Sequence, residues 1–273
     1  MATYLADVDA RALRPDDVDD GERASRRTSP STRSSRRARC SRSCRSRSTF
    51  YASLYGPYPF NAVGAIVDSA KVVGYSLETQ TKPNFPYVPD EATLVHELSH
   101  MWFGDSVTLT QWPDIWLHEG FATWSEWIWS EHQGNKSAAQ WFKQLLQHAR
   151  RRTRAFWTPP AGNPGTPALL FNGTIYYRGG MTLEALREKV GDLTLLPDHP
   201  GLGDAEPLRQ RDDAAVHRAG GAASPAMDLA HFFDVWLYQP RQADELVRAP
   251  RRARACDALR RSYKLLRPLS DSS

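Results

Sequence analysis

The stretch HELSHMWFGDSVTLTQWPDIWLHEGFATWSEW, residues 96–127, decides how this chain is read. It opens with His96 and His100 four residues apart and Glu97 beside the first. In a helix that spacing puts both imidazoles on one face, about one turn apart, so that two ring nitrogens can reach one ion. Zinc bound by histidine sits about 2.0–2.1 Å from each nitrogen, and a catalytic site takes three protein ligands and keeps a fourth position open. Glu119, nineteen residues beyond His100 at the start of the next helical run, is the third candidate ligand. Glu97, next to the first ligand, is placed to take the proton of an attacking water. The His-x-x-x-His spacing alone is also met in histidines that only pack or cap a helix. A carboxylate on a second, antiparallel helix is what closes a three-ligand set.

Working outward, Pro89 and Asp90 make a start signal and Gly104 a stop, which predicts a helix from Asp90 to Phe103. A second helix is expected from Asp114 to His132, ahead of Gly134. A third runs from Lys136 to Arg152, where Trp141, Leu145 and Leu146 fall at helical spacing. Residues 153–173 read as a loop rich in Pro and Gly, and helical pattern returns from Thr174 to Val190. Val63 to Val67 and Lys71 to Glu78 are short, β-branched and bounded by Gly or Pro, and read as strands. DLAHFFDVWLYQ, 228–239, carries an apolar helix face. Trp112, Trp116, Trp124, Trp127 and Trp129 are assigned mostly to the core.

Charge is uneven. Residues 23–48 hold ten Arg and nine Ser with no acid, whereas 49–240 hold 14 Lys and Arg against 20 Asp and Glu, a formal charge of −6. The overall +4 therefore belongs to the tails. The Arg/Ser stretch has little to bury, so residues 1–48 are expected to be disordered or read out of frame. Residues 191–227 are irregular, and 241–273 form a basic tail. The Arg/Ser arm lacks interleaved aromatics, so no nucleic-acid partner is expected. Cys40, Cys44 and Cys256 fit neither a disulfide framework nor a zinc-finger set. No apolar run approaches the ~20 residues of a membrane span, and Asp7 and Asp9 interrupt any signal core; the expectation is a cytoplasmic protein without membrane attachment.

Residues 96–127 resemble the aminopeptidase N family of gluzincin metallopeptidases, which carries HExxH, eighteen residues and then Glu, in WFGD and W-L-x-E-G-F-A surroundings. The resemblance implies an α+β, mainly helical, thermolysin-like (gluzincin) catalytic domain with a small β-sheet subdomain and a helical subdomain, here over residues 49–190, with 228–240 a further family-like helix. It implies one zinc ion held by His96, His100 and Glu119, with Glu97 as general base. His118 departs from the family, which usually has Asn beside the ligand Glu. GYSLETQ, 74–80, resembles the family's GAMEN motif, with Leu77 for Met and Thr79 for Asn. By that likeness Glu78 binds the free α-ammonium group of a peptide substrate. IYYRGGMTLEALR resembles the family's Tyr-x-Lys-Gly-Ala run, with Arg178 for Lys and Gly180 for Ala. Tyr176 is then the phenol that donates to the oxyanion, and Tyr177 is the competing assignment. The implied function is a zinc-dependent aminopeptidase; the alternative is a catalytically impaired zinc-binding fragment of one. The family's β-rich domain before the catalytic domain and its helical domain after it have no counterpart in this sequence.

Overall fold

The structure, a computed structural model, describes residues 32–67, 74–191, 210–211 and 228–239. Six helices carry it: α1 (Thr32–Tyr55), α2 (Glu91–Ser99), α3 (Trp116–His132), α4 (Ala138–Phe156), α5 (Gly173–Val190) and α6 (Leu229–Phe233). A tight turn at Trp112–Ile115 leads into α3, and a widened turn at Asp234–Tyr238 follows α6. Strands are minor. β1 (Ile66–Val67) pairs in parallel with β2 (Asn84–Phe85), and β3 (Thr108–Leu109) pairs in parallel with β4 (Gln210–Arg211). The chain is mainly helical, as expected, but the anticipated sheet is reduced to these pairs among the described residues.

The strand expected over Lys71–Glu78 is not formed in its described part. Leu77 makes a single antiparallel bridge to Asn84, with reciprocal backbone hydrogen bonds of 2.9 and 2.8 Å. Thr79 then opens a turn, donating its hydroxyl to the Lys82 carbonyl at 2.6 Å, and Thr81 takes a φ of 69°. That reversal takes the chain out of an extended course. Residues 68–73 lie outside the described residues. Of Val63–Val67, only Ile66 and Val67 form a strand.

The Arg/Ser-rich segment differs from its expectation of disorder, since α1 begins at Thr32 and crosses residue 49 without a break. Its last turns supply the anchorage the composition hid. Cys44, Ser48, Tyr51 and Tyr55 recur at three- and four-residue spacing and are all buried. Tyr51 donates to the Ser125 carbonyl at 3.0 Å, and Arg47 pairs with Glu91 at 2.6 Å. The rest of the Arg/Ser-rich expectation, residues 1–31, lies outside the described residues, as do 192–209, 212–227 and 240–273.

Asp90 caps α2 by accepting from the Thr93 amide at 2.8 Å, which satisfies a donor that the first helical turn leaves unpaired. The helix stops at Ser99, four residues short of the expected Phe103. Beyond it, Asp105, Ser106 and Val107 donate back to His100, Met101 and Trp102 in wide turns. Gly104 makes this possible with a φ of 156°, at a point where a Cβ would meet the His100 carbonyl oxygen at 2.9 Å.

α3 is the centre of the molecule, buried along most of its length and packed on α2 and α5. Trp116, Trp124, Trp127 and Trp129 are in the core as expected, while Trp112 is 48% exposed. α3 and α5 cross backbone to backbone. A Cβ built on Gly120 would lie 2.8 Å from Gly179 Cα, so neither helix has room for a side chain there. Immediately before Gly179, the buried Arg178 donates to the carbonyls of Trp157, Val235, Trp236 and Gln239. Its planar fork thus satisfies orphaned carbonyls of the turn after α6 and ties that turn to α5. No helix among the described residues is long and apolar enough to cross a membrane.

Candidate metal centre

The last turn of α2 and the first turn of α3 meet at three side chains. His96 Nε2 lies 3.2 Å from Glu119 Oε2, and His100 Nε2 lies 3.6 Å from the same oxygen. The opposite ring nitrogens are committed elsewhere. His100 Nδ1 faces the Phe103 carbonyl at 3.0 Å, an acceptor only, so Nδ1 carries a proton. His96 Nδ1 faces Glu126 Oε1 at 2.7 Å and donates in the same way. A neutral imidazole protonated at Nδ1 presents a lone pair at Nε2. Two lone pairs and a carboxylate oxygen therefore converge on one point, which requires positive charge between them, either extra protons or a cation.

The donor set fits zinc. Bonds of about 2.0–2.1 Å in a tetrahedral shell hold ligand atoms about 3.3 Å apart, close to the 3.2 and 3.6 Å found here. Two imidazoles and one carboxylate make the three-ligand complement of a catalytic site with a position left open.

The electrostatics carry the same message. Burial works against a charged His100, yet Glu78 and Glu119 outweigh it and push its pKa up to about 9. His96 is likewise raised despite burial, by Glu119 and Glu126. Burial alone would raise Glu119, but the two histidines hold its carboxyl well below the usual carboxylate range. Each group is thus tuned to be charged against the others.

Around this trio stand the remaining candidates. Glu97 is buried on α2 and Glu78 is buried in the segment before β2, and their carboxylates lie with a His100 nitrogen within 4.8 Å of one another. Burial raises Glu97 to about 7, with His96 and His100 opposing and Glu78 and Glu119 adding to the rise. Tyr176, on the first turns of α5, stacks on His96 with ring centroids 6.0 Å apart and an interplanar angle of 22°. Burial and the carboxylates of Glu119, Glu78 and Glu97 hold its phenol above its ordinary value, so it stays protonated and able to donate. Tyr177 is 48% exposed. All six residues singled out from the sequence are brought together, and of the two adjacent tyrosines it is Tyr176 that faces the histidines.

His118 is buried, with its ring 6.3 Å from that of His100. Burial first, and then the His100 charge, lowers its pKa to about 3, so it stands as a neutral neighbour of the ligands. Two acids escaped the sequence reading. Glu126 was recognisable in principle, since it lies two helical turns beyond Glu119 on the same face of α3. Asp105 is buried, with neither carboxylate oxygen hydrogen-bonded; it is the acid of the WFGD run, which assigned it no role.

Two histidines one helical turn apart, a carboxylate from the next helix and an acid beside the first histidine make a cluster that could hold a metal ion in a mainly helical fold. Comparison with known proteins makes the class specific. Residues 79–196 match the peptidase family M1 domain. The aminopeptidase N of Lactobacillus delbrueckii subsp. lactis is 29% identical over 217 residues, which are 70% of this chain and 25% of that protein. The aminopeptidase N of Streptomyces lividans is 35% identical over 109 residues, 37% of this chain and 13% of that one. Among solved structures, a mutant M1 zinc metallopeptidase from Deinococcus radiodurans, bound to a Tyr-Ser-Ala substrate, superposes with a TM-score of 0.57 at 26% identity. That match covers 82% of this chain and 46% of the other. Over residues 79–196 the chain is thus similar to the peptidase family M1 domain, with aminopeptidases N among its relatives, and it spans about a quarter of the Lactobacillus relative. The matched range begins one residue after Glu78, which therefore lies outside it.

Proposed function

We propose that residues 49–190 form the catalytic domain of a zinc-dependent aminopeptidase that releases N-terminal amino acids from peptides, in a thermolysin-like arrangement of helical and small sheet subdomains. One observation carries the reading. His96 Nε2, His100 Nε2 and Glu119 Oε2 converge at ligand spacing, with two further buried carboxylates beside them. In this reading His96, His100 and Glu119 hold one zinc ion, which when bound supplies Lewis-acid activation of a water and of the scissile carbonyl.

The chain's own residues do the rest. Glu97, with a pKa of about 7, accepts the proton of the attacking water and passes it to the leaving amine. Tyr176 donates its phenolic proton in a hydrogen bond to the oxyanion as it develops. Glu78 offers a carboxylate to the substrate's α-ammonium group, and that contact turns a general amide hydrolase into an exopeptidase. The tripeptide bound by the Deinococcus enzyme is consistent with a peptide substrate here.

The test uses the full chain with zinc and a pair of peptides differing only in N-acetylation. The free peptide is expected to be hydrolysed from its N-terminus and the acetylated one spared. Glu97→Gln should keep zinc and lose about 10²–10⁴-fold in rate. Equal cleavage of both peptides would falsify the aminopeptidase assignment, whereas zinc retained without hydrolysis of either indicates the impaired centre.

A further inference from the structure

We propose that Glu126 is a positioning residue of this centre, holding His96 in the one tautomer and ring orientation that can bind a cation. The inference rests on the metal-centre reading above and assigns a role to a residue which that reading does not use. Glu119 and Glu126 are seven residues apart on α3, which is two turns, so their side chains share a face about 10.5 Å apart along the axis. The His96 ring bridges that interval. Its Nε2 lies 3.2 Å from Glu119 Oε2 and its Nδ1 lies 2.7 Å from Glu126 Oε1.

His100 needs no such partner, because its Nδ1 donates to the carbonyl of Phe103, three residues on in the same chain segment, at 3.0 Å. The acceptor that faces His96 Nδ1 comes instead from another helix, so its orientation depends on a tertiary contact. In the neutral ring, the form that can bind a cation, loss of Glu126 makes the alternative tautomer, protonated at Nε2, available. That proton would then be donated straight to Glu119, joining two ligands to each other and closing the point where a cation sits. Glu126 selects against this collapse by keeping the proton on Nδ1.

The experiment measures zinc affinity of the full chain by competition with a chromogenic chelator, alongside the ¹⁵N spectrum of the histidine rings in the metal-free protein at a pH high enough to leave both rings neutral. Glu126→Ala is expected to weaken zinc binding by about 10–100-fold and to raise the Nε2-protonated form of His96. Glu126→Gln keeps an oxygen acceptor for Nδ1 and should lose less, within about 10-fold, which a merely structural role would not produce in that order. Glu131→Gln, on the same helix but paired with Arg187 and the Ala138 amide, should leave affinity unchanged. Circular dichroism checks that each variant is folded. Unchanged affinity and unchanged tautomer in whichever Glu126 variant folds overturns the proposal. A wild-type chain that binds no zinc overturns the metal centre, and this inference with it.

Discussion

Burial acts on Asp105 and Glu97 in the same direction but to different ends. Glu97 is raised to about 7, where a base is poised for neutral pH. Asp105 is raised to about 8, first by burial and also by Glu78, with His100 opposing, and both its oxygens lack hydrogen bonds. A carboxyl whose folded pKa lies above its unfolded value binds its proton more tightly when folded, so it costs stability progressively as pH rises from about 4 to about 8. Asp105→Asn keeps the shape and removes the ionisation. In metal-free protein it should stabilise little at pH 4 and by as much as a few kcal/mol at pH 8, at about 1.4 kcal/mol per pKa unit. Urea unfolding at both pH values measures this, and a pH-independent difference would show that Asp105 is ionised in the fold. The tyrosine pair makes a second test. Tyr176→Phe should cost about 10²–10³-fold in kcat if it donates to the oxyanion, while Tyr177→Phe, at a half-exposed position, should leave kcat unchanged. At this scale the histidines, Glu97 and Glu119 were legible because helical spacing converts directly into a shared face. Glu126 shares a face of α3 with Glu119 and was open to the same reasoning, whereas for Asp105, within the WFGD run, nothing local in the chain distinguishes a buried acid from a solvated one.

Between elements, the crossing of α3 and α5 sets the distance from Glu119 to Tyr176. Gly120 follows Glu119 directly and Gly179 lies three residues after Tyr176, and these two glycines let the helices touch. Alanine at Gly120 would gain about 1 kcal/mol of helix propensity. Against that, its Cβ would stand 2.8 Å from Gly179 Cα and 2.9 Å from its carbonyl carbon, both backbone atoms that cannot rotate away. Overpacking of this kind costs about 1–3 kcal/mol or more, so Gly120→Ala should lower Tm and weaken zinc binding together. Gly173→Ala, where the nearest atom to a new Cβ is a Tyr177 ring carbon at 3.9 Å, is the matched control expected to change neither. Apart from α1, the helices were readable from their caps and apolar faces, Asp90 being the clearest case. The strands were not, because their pairing is nonlocal: Thr108 and Leu109 find their partners at Gln210 and Arg211. A glycine inside a helix is equally silent, since one sequence cannot say whether it is tolerated or required.

Across the molecule, the Arg/Ser composition concealed a helix because the four residues that anchor α1 lie in its last turns, where Tyr51 and Tyr55 reach Ser125 on α3. The same α3 carries Glu119, so the proposed metal centre joins α2 to the helix around which the core is packed, and its charge state bears on global stability. In the metal-free protein His96 and His100 have raised pKa values, His100 to about 9. Raised histidines contribute stability that is fully present below about 6.5 and is lost as pH rises through their folded values, for His100 through about 9. Glu119, lowered, contributes above about 4.5 and is lost only on acidification. The metal-free centre is therefore most stabilising between those limits and weakens from about pH 6.5 to 9. Zinc replaces the histidine protons, so its affinity rises over the same interval as fewer protons must be displaced. Ligand at 100 times its Kd adds about 2.7 kcal/mol. The Tm difference between zinc-saturated and chelator-treated chain should accordingly widen from pH 6 through 7.5 to 9. Asp105, outside the ligand set, shifts both forms alike and largely cancels from that difference. A gap that stays constant or narrows would mean that protons and zinc do not compete for the same three atoms, and would remove the ground for placing the ion between His96, His100 and Glu119.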